Sequence, residues 1–168
     1  STSATNGGKA DLRWIPLGHA SDDEVHKLAQ SGIRFSDIFE VASASDVKSN
    51  PQKFRDFKPV YVYAGTGKEV AHLEFLKLKP GKEKAAAFLE SRRYAALLGA
   101  TSEFTKMEGV THNTRDKRLY IAMSYIEKAM VDKQNEDRPQ DDINLEGDVK
   151  DMACGAVFEA GLKGAQRD

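Results

Sequence analysis

The feature that most constrains this chain is the alternation of apolar and polar residues that begins at Pro59 and recurs in paired runs. Residues 60–63 and 70–78 are rich in β-branched, aromatic and aliphatic side chains, with a glycine-rich turn between them. Residues 107–112 and 119–125 form a second pair, joined by a turn that contains asparagine and aspartate. Paired runs of this kind are typical of antiparallel strands. The sequence therefore predicts two hairpins.

Two helices are predicted by their end signals. Ser21 and Glu24 form a capping-box pattern, and the apolar stripe that follows ends near Gly32. Residues 82–98 place alanines, Phe88 and two leucine positions at helical spacing, with Gly99 directly beyond. We expect one amphipathic helix there, because glycine commonly follows a helix end.

The order of these patterns predicts a mainly β fold with helices, α+β in appearance. Residues 1–58 are expected to form a mobile N-terminus and a short helical segment, and residues 59–168 the hairpins with the helix at 82–98. Residues 131–151 carry eight acidic against three basic side chains. Because residues 154–162 resume a strand pattern, this acidic stretch is interpreted as an inter-strand loop.

Composition excludes two classes of partner. The 25 basic and 26 acidic residues of this 168-residue chain nearly cancel, so no overall field attracts it to nucleic acid or an anionic membrane. The sequence also has no apolar run near the roughly 18 residues needed to span a bilayer. The single cysteine, Cys154, leaves the redox compartment open. The chain begins at serine and stops soon after a strand pattern, so we expect an excerpt of a longer protein, with any targeting signal in the missing part.

The run from Lys106 to Val110 carries the sharpest chemical signal. A strand places Lys106 and Glu108 on one face, where a carboxylate and a positive charge suit a cation and a phosphate group. If Met107 and Val110 are buried, an ionised Glu108 needs a cation or hydrogen-bond donors to offset its desolvation. Gly109 either permits close approach of a ligand or marks a bulge.

The alternative interpretation places Glu108 on the solvated face of an edge strand. This position is common, since most strand glutamates are exposed. In the same interpretation, the carboxylate is alternatively satisfied by a pair with Lys106 or with Arg118.

Weaker candidates lie elsewhere. Asp142, Asn144 and Glu146 resemble the first half of an EF-hand loop, but Ala153 occupies the position of the closing glutamate. A solvated loop is therefore favoured, with a looser calcium site left open.

Cys154 and His112 are two further side chains with reactive groups. Cys154 has no CxxC partner and is interpreted as a small buried hydrophobe. His112 is an outer group of the Glu108 site at most, and no nucleophile elbow, phosphate-binding loop or zinc-helix motif occurs.

Four segments together resemble the C-terminal part of PhoX-type alkaline phosphatases in order and approximate spacing. They include the string Arg-Arg-x-Ala-Ala, Gly-Ala-Thr and Lys-Met-Glu-Gly, and the likeness covers about residues 59 to 162. The segments are residues 89–101, 106–110, 119–124 and 154–159.

This resemblance implies a larger periplasmic or secreted enzyme, a decorated β-propeller that hydrolyses phosphate monoesters at a cluster of calcium and iron ions. Glu108 matches the family's glutamate metal ligand, and Lys106 stands where the family has a basic, phosphate-contacting catalytic residue, often arginine. The family's metal-bound cysteine belongs to an earlier Cys-Glu-Glu motif that this chain lacks, so Cys154 does not inherit that role. The remaining ligands also lie upstream. The resemblance thus implies that the chain needs the remainder of its parent and is inactive alone.

Two other functions stay open at this point. One is a non-catalytic, propeller-like module that binds calcium or a partner through the acidic stretch. The other is a propeller hydrolase of the lactonase kind, which also uses strand-end carboxylates around calcium.

Overall fold

A computed structural model describes residues 2–5, 13–62, 72–101, 104, 106–126, 143–146 and 154–163, the backbone alone being described for 2–5, 61–62, 72 and 143–146. The chain divides into two compact units. The mixed unit comprises Trp14–Ser102, and the sheet unit comprises Ser1–Arg13 with Glu103–Asp168. In chain order the elements are β1 (Thr2–Thr5), α1 (Asp22–Gln30), α2 (Phe35–Ile38), β2 (Phe39–Ala42), α3 (Ala44–Ser49), β3 (Lys58–Val62), β4 (His72–Leu78), α4 (Glu83–Leu89), α5 (Ser91–Leu97), β5 (Met107–Asn113), β6 (Arg118–Met123), β7 (Ile143–Glu146) and β8 (Ala156–Gly161).

The fold is mixed α+β, with two three-stranded antiparallel sheets that are open in the described part of the chain. In the mixed unit the strand order is β2-β4-β3. The pairing of β3 with β4 confirms the first predicted hairpin, whose turn lies outside the described residues. Strand β2 completes this sheet from the segment before residue 59, with Phe39 opposite Leu78.

The predicted capping box at the start of α1 is confirmed. The Ser21 hydroxyl accepts a hydrogen bond from the Glu24 amide, and the Glu24 carboxylate accepts one from the Ser21 amide. The same carboxylate forms an ion pair with Lys84 just inside α4. The α1 cap is therefore tied to a second helix.

Where the sequence predicts one helix over residues 82–98, the structure has two. Glu90 lies between α4 and α5 with φ −131° and ψ 40°, outside the helical region. Its carboxylate accepts a hydrogen bond from Arg93 at 3.0 Å, and Arg93 also binds Glu74 of β4 at 3.0 Å. The Arg93 guanidinium lies 5.0 Å from the centre of the Phe35 ring. These contacts to β4 and α2 favour the break over helical continuity.

The core of the mixed unit lies between its sheet and its helices. Leu76 of β4 is fully buried, and Val60 of β3 is nearly so. The buried residues of this cluster are Ile38, Phe39, Val60, Leu76, Ala85, Ala86, Ala87, Tyr94, Ala96 and Leu97. Gly99 ends the helical region with φ 92°, as the sequence predicts.

The sheet unit contains the antiparallel order β5-β6-β8. Val110 lies opposite Ile121, which lies opposite Phe158 on its other side. This pairing confirms the second hairpin and the strand predicted after residue 154. Among the described residues of this unit, Ile121, Met123 and Ile126 form a buried cluster, with Phe104, Leu119, Ala156 and Phe158 packed against it.

A parallel pair, β1 with β7, also belongs to the sheet unit, with Thr2 opposite Ile143. The prediction of a loop over 131–151 is wrong at residues 143–146, which form β7. The alternation of Ile143 and Leu145 with polar neighbours gives the physical reason, since it has strand period. The rest of that stretch lies outside the described residues. Of the described helices, none is both long and apolar enough to cross a bilayer.

Candidate functional site

Lys106 enters β5 in an unusual backbone conformation. Its φ is 45°, in the left-handed region, which costs a residue with a side chain about 1–2 kcal/mol. Its carbonyl oxygen accepts a hydrogen bond from the Ser124 amide at 3.0 Å. The end of the β5–β6 hairpin therefore holds Lys106 in a conformation that it would not adopt freely.

A bulge follows directly at Glu108. Met107 lies opposite Met123 and Gly109 opposite Ala122, so Glu108 is the extra residue on β5. Bulges re-aim side chains and are frequent near active sites. Of the two roles predicted for Gly109, close approach of a ligand or marking a bulge, the structure has the second. Space alone does not require glycine there, since a Cβ would lie 3.5 Å from that of Ala122.

The structure brings Lys106 and Glu108 together at the surface. The Lys106 Nζ lies 4.0 Å from Glu108 Oε1, and their side chains are 51% and 60% exposed. The Ser124 hydroxyl donates to the same Oε1 at 3.2 Å. Exposed ion pairs contribute only about 0–1 kcal/mol, because water screens them. The contact with Lys106 is the pairing named in the solvated interpretation, whereas Arg118 instead pairs with Glu159 at 3.2 Å.

The burial expected for the neighbours of Glu108 is not found. Met107 is 52% exposed and Val110 is 63% exposed. Both lie on β5, an outer strand of the sheet β5-β6-β8, while the small buried cluster centres on Ile121 and Met123 of β6. The desolvation argument for a bound cation at Glu108 therefore does not apply to the chain as it stands.

Among the described residues, Ser124, Tyr125 and Gly155 also lie near this pair, and none of them was predicted as a site residue. Tyr125 places its ring centre 5.8 Å from the Lys106 Nζ. Gly155 has φ 70°, and a Cβ there would overlap the Met123 carbonyl oxygen and lie 2.6 Å from the Ser124 carbonyl carbon. Ser124 and Gly155 are thus in backbone contact. In the sequence, the glycine after Cys154 is the signal for a close backbone approach at this position. The fold is needed to show that the approaching backbone belongs to Met123 and Ser124.

The other candidate residues lie away from the Lys106–Glu108 pair or outside the described residues. His112 lies opposite Leu119, four residues along β5 from Glu108. Cys154 is exposed, so its interpretation as a buried hydrophobe is wrong, because the neighbouring Gly155 takes the buried place. Asp142 lies outside the described residues. Asn144 and Glu146 are described as backbone of β7 only.

The described side chains near Lys106 supply one possible metal ligand, the Glu108 carboxylate. Among the residues whose side chains are described, no three His, Cys, Asp or Glu side chains are close enough together to hold a metal ion. Glu108 offers an oxygen, which calcium accepts, but calcium takes six to eight oxygen ligands. Further ligands from elsewhere would be required to hold calcium or iron here.

Comparison with family models, with curated proteins and with solved structures finds no match to this chain.

Proposed function

We propose that this chain is the C-terminal part of a PhoX-like, metal-dependent phosphatase that hydrolyses phosphate monoesters. The observation that carries the proposal is the exposed Lys106–Glu108 pair at the bulged end of β5. The positive φ of Lys106, next to a bulge, costs conformational free energy. Strained residues and bulges are frequent at functional sites. The parent would be periplasmic or secreted, and the chain alone would be inactive.

The two side chains have separable roles in this proposal. Bound calcium and iron would supply charge neutralisation of the phosphoryl oxygens and activation of an oxygen nucleophile. Glu108 provides one carboxylate ligand to these ions. Lys106 provides a point charge to a phosphoryl oxygen, where negative charge builds up in the transition state.

The propeller architecture belongs to the same proposal. A propeller blade is usually a four-stranded antiparallel sheet. The sheet β5-β6-β8 has the antiparallel order of such a blade with one strand fewer. We expect the missing strand, and the remaining metal ligands, to come from the rest of the parent chain.

The test is the phosphatase activity of the full-length protein with calcium and iron. Glu108→Ala is expected to lower the activity at least about 100-fold, since weaker perturbations around a metal already cost 10- to 100-fold. Glu159→Ala removes an exposed glutamate from the same sheet and serves as the matched control. Wild-type activity in Glu108→Ala would remove Glu108 from the site.

A second function, a non-catalytic binding module, is favoured by a different observation. Met107, Val110 and Val157 are exposed apolar side chains on the two outer strands of the sheet. Calorimetric titration of the 168-residue chain with calcium separates the two functions. Tight binding that persists in Glu108→Ala but is lost when the acidic stretch 132–151 is removed would favour the module.

A further inference from the structure

We propose that a cleft in the mixed unit, between the end of α1 and the turn after β4, binds a small zwitterion that carries a carboxylate and an ammonium group. A free amino acid with an aliphatic side chain is a ligand of this class. The cleft belongs to a different unit from the Lys106–Glu108 pair, so the inference does not depend on the proposed phosphatase function.

The cleft lies entirely within the mixed unit and is open to solvent. Its volume is about 500 Å³, within the range of roughly 300–1,000 Å³ that is typical of small-molecule sites. Its residues come from two parts of the chain, one after α1 and one after β4. They are Ser31, Gly32, Ile33, Asp37, Lys79 and Lys82. The cleft therefore has room for a molecule of the size of an amino acid.

One side of the cleft carries two lysines at a fixed spacing. Lys79 and Lys82 are the first and last residues of a β-turn, in which the Lys82 amide donates to the Lys79 carbonyl oxygen at 3.2 Å. Pro80 and Gly81, which has φ 72°, occupy the central positions, the residue pattern of a type II turn. Both lysines are half-buried. The turn therefore holds two positive charges beside the same cleft.

These two lysines keep unused hydrogen-bond donors. Lys79 Nζ donates to the Ser36 carbonyl oxygen at 2.7 Å, which occupies one of its three donors. Lys82 Nζ forms no hydrogen bond or ion pair with any residue that the structure describes. A carboxylate has two oxygens that accept charge-assisted hydrogen bonds, so it can be shared by both lysines.

Asp37 supplies the opposite charge. Its Oδ2 accepts a hydrogen bond from the Arg34 amide at 2.8 Å, whereas its Oδ1 has no partner within the described part of the chain. Ser31 and Gly32 directly follow α1, and the C-terminal end of a helix carries a negative partial charge. Both features favour a positively charged group of the ligand.

The charges that line the cleft do not neutralise each other, since neither lysine forms an ion pair with Asp37. A ligand with only a negative charge would be attracted by the lysines and repelled by Asp37, and a metal ion or another simple cation would meet the reverse. A zwitterion matches both sides. Ile33 is half-buried in the same lining and offers an apolar contact to an aliphatic side chain.

The first experiment is an NMR titration of the 168-residue chain with three probes. L-Leucine carries both charges, N-acetyl-leucine lacks the ammonium group, and leucine amide lacks the carboxylate. Leucine is expected to shift the amide signals of residues 31–33, 79, 81 and 82, and to bind about 5-fold more tightly than either analogue, which is the factor that one exposed charge contact provides. If leucine leaves these signals in place, or if either analogue binds as tightly as leucine, the proposal is wrong.

The second experiment repeats the titration with variants whose amide spectra show that they are folded. Lys82→Gln removes one positive charge, and Asp37→Asn removes the negative charge but keeps an oxygen that can accept the Arg34 amide. Each is expected to weaken leucine binding about 5-fold. Lys48→Gln changes an exposed lysine of α3 and is the control, with wild-type affinity expected.

Wild-type affinity for leucine in both cleft variants would overturn the proposal, as would an equal loss in Lys48→Gln. Phosphatase activity is not measured in either titration. Failure of the zwitterion site therefore leaves the proposed function untouched, and a fully active Glu108→Ala enzyme leaves the zwitterion site untouched.

Discussion

The two units differ in how their strands are held. In the mixed unit, Leu76 and Val60 lie in a cluster of ten buried residues to which both helices and strands contribute. In the described part of the sheet unit, the cluster has three buried residues centred on Ile121 and Met123. The described part of the sheet unit also contains three distinctive backbone features, which are the left-handed Lys106, the bulge at Glu108 and the close approach at Gly155. The candidate site is built from these same features.

The largest expected effect is a cavity in the mixed unit. Leu76→Ala is expected to lower the free energy of unfolding of that unit by about 4 kcal/mol, because the surrounding residues cannot collapse into the space. Ile121→Ala should cost the sheet unit less, about 2 kcal/mol, because its small cluster can relax. Hydrogen exchange resolved by peptide measures each unit separately. Equal losses of unfolding free energy in the two units would contradict the difference described between their cores.

The next effect tests whether backbone approach supports the sheet unit. Gly155→Ala is expected to cost about 3 kcal/mol, because a methyl group would overlap the Met123 and Ser124 backbone and φ is 70°. Gly109→Ala is the control, with a Cβ in ordinary contact with Ala122. Hydrogen exchange in β6 and β8 measures both variants, and a neutral Gly155→Ala would refute the role given to this contact.

A smaller effect of opposite sign is expected at Lys106. Lys106→Gly should stabilise the sheet unit by roughly 1 kcal/mol, because glycine adopts a positive φ without steric cost. Lys117 has φ 53° and precedes β6, so Lys117→Gly is a matched control with a similar gain. Urea unfolding measures both gains. Under the proposed function, only Lys106→Gly should lower the phosphatase activity of the full-length protein, and equal activity in both variants would argue against a phosphate contact.

The smallest expected effect is a pH dependence of the mixed unit. The hydrogen bond from Lys84 and those from Ser21 lower the pKa of Glu24 to about 2 from its ordinary 4.5. The stabilisation that these contacts provide is fully present above about pH 4.5 and is lost as the pH falls towards 2. Unfolding curves of wild type and Glu24→Gln should converge over this interval. The sheet unit, monitored at β6, should show no such convergence.

Local patterns in the sequence were enough for the hairpins and for the first helix. The Ser21 and Glu24 side chains close a cap within three residues of each other, so their spacing alone predicts it. The pairing of β5 with β6 likewise joins neighbouring segments across a short turn.

Features set by distant residues could not be predicted in the same way. The helix break at Glu90 depends on Arg93 reaching Glu74, and the exposure of Met107 depends on what packs against β5. The hydrogen bond from Ser124 to Glu108 requires β5 and β6 to be placed side by side first. The contact of Lys106 with Glu108 was named from their spacing in the sequence, whereas the contact of Ser124 with Glu108 was not.

Both strands of the β5–β6 hairpin begin directly after a lysine with positive φ, Lys106 before β5 and Lys117 before β6. Mutational drift should replace each of them by glycine or asparagine, which tolerate this conformation better. Position 117 can change in this way. A site that needs a positively charged side chain would keep position 106 basic, despite the conformational free energy that its positive φ costs. Natural variants of this chain therefore offer a record of selection in which one lysine serves as the reference for the other.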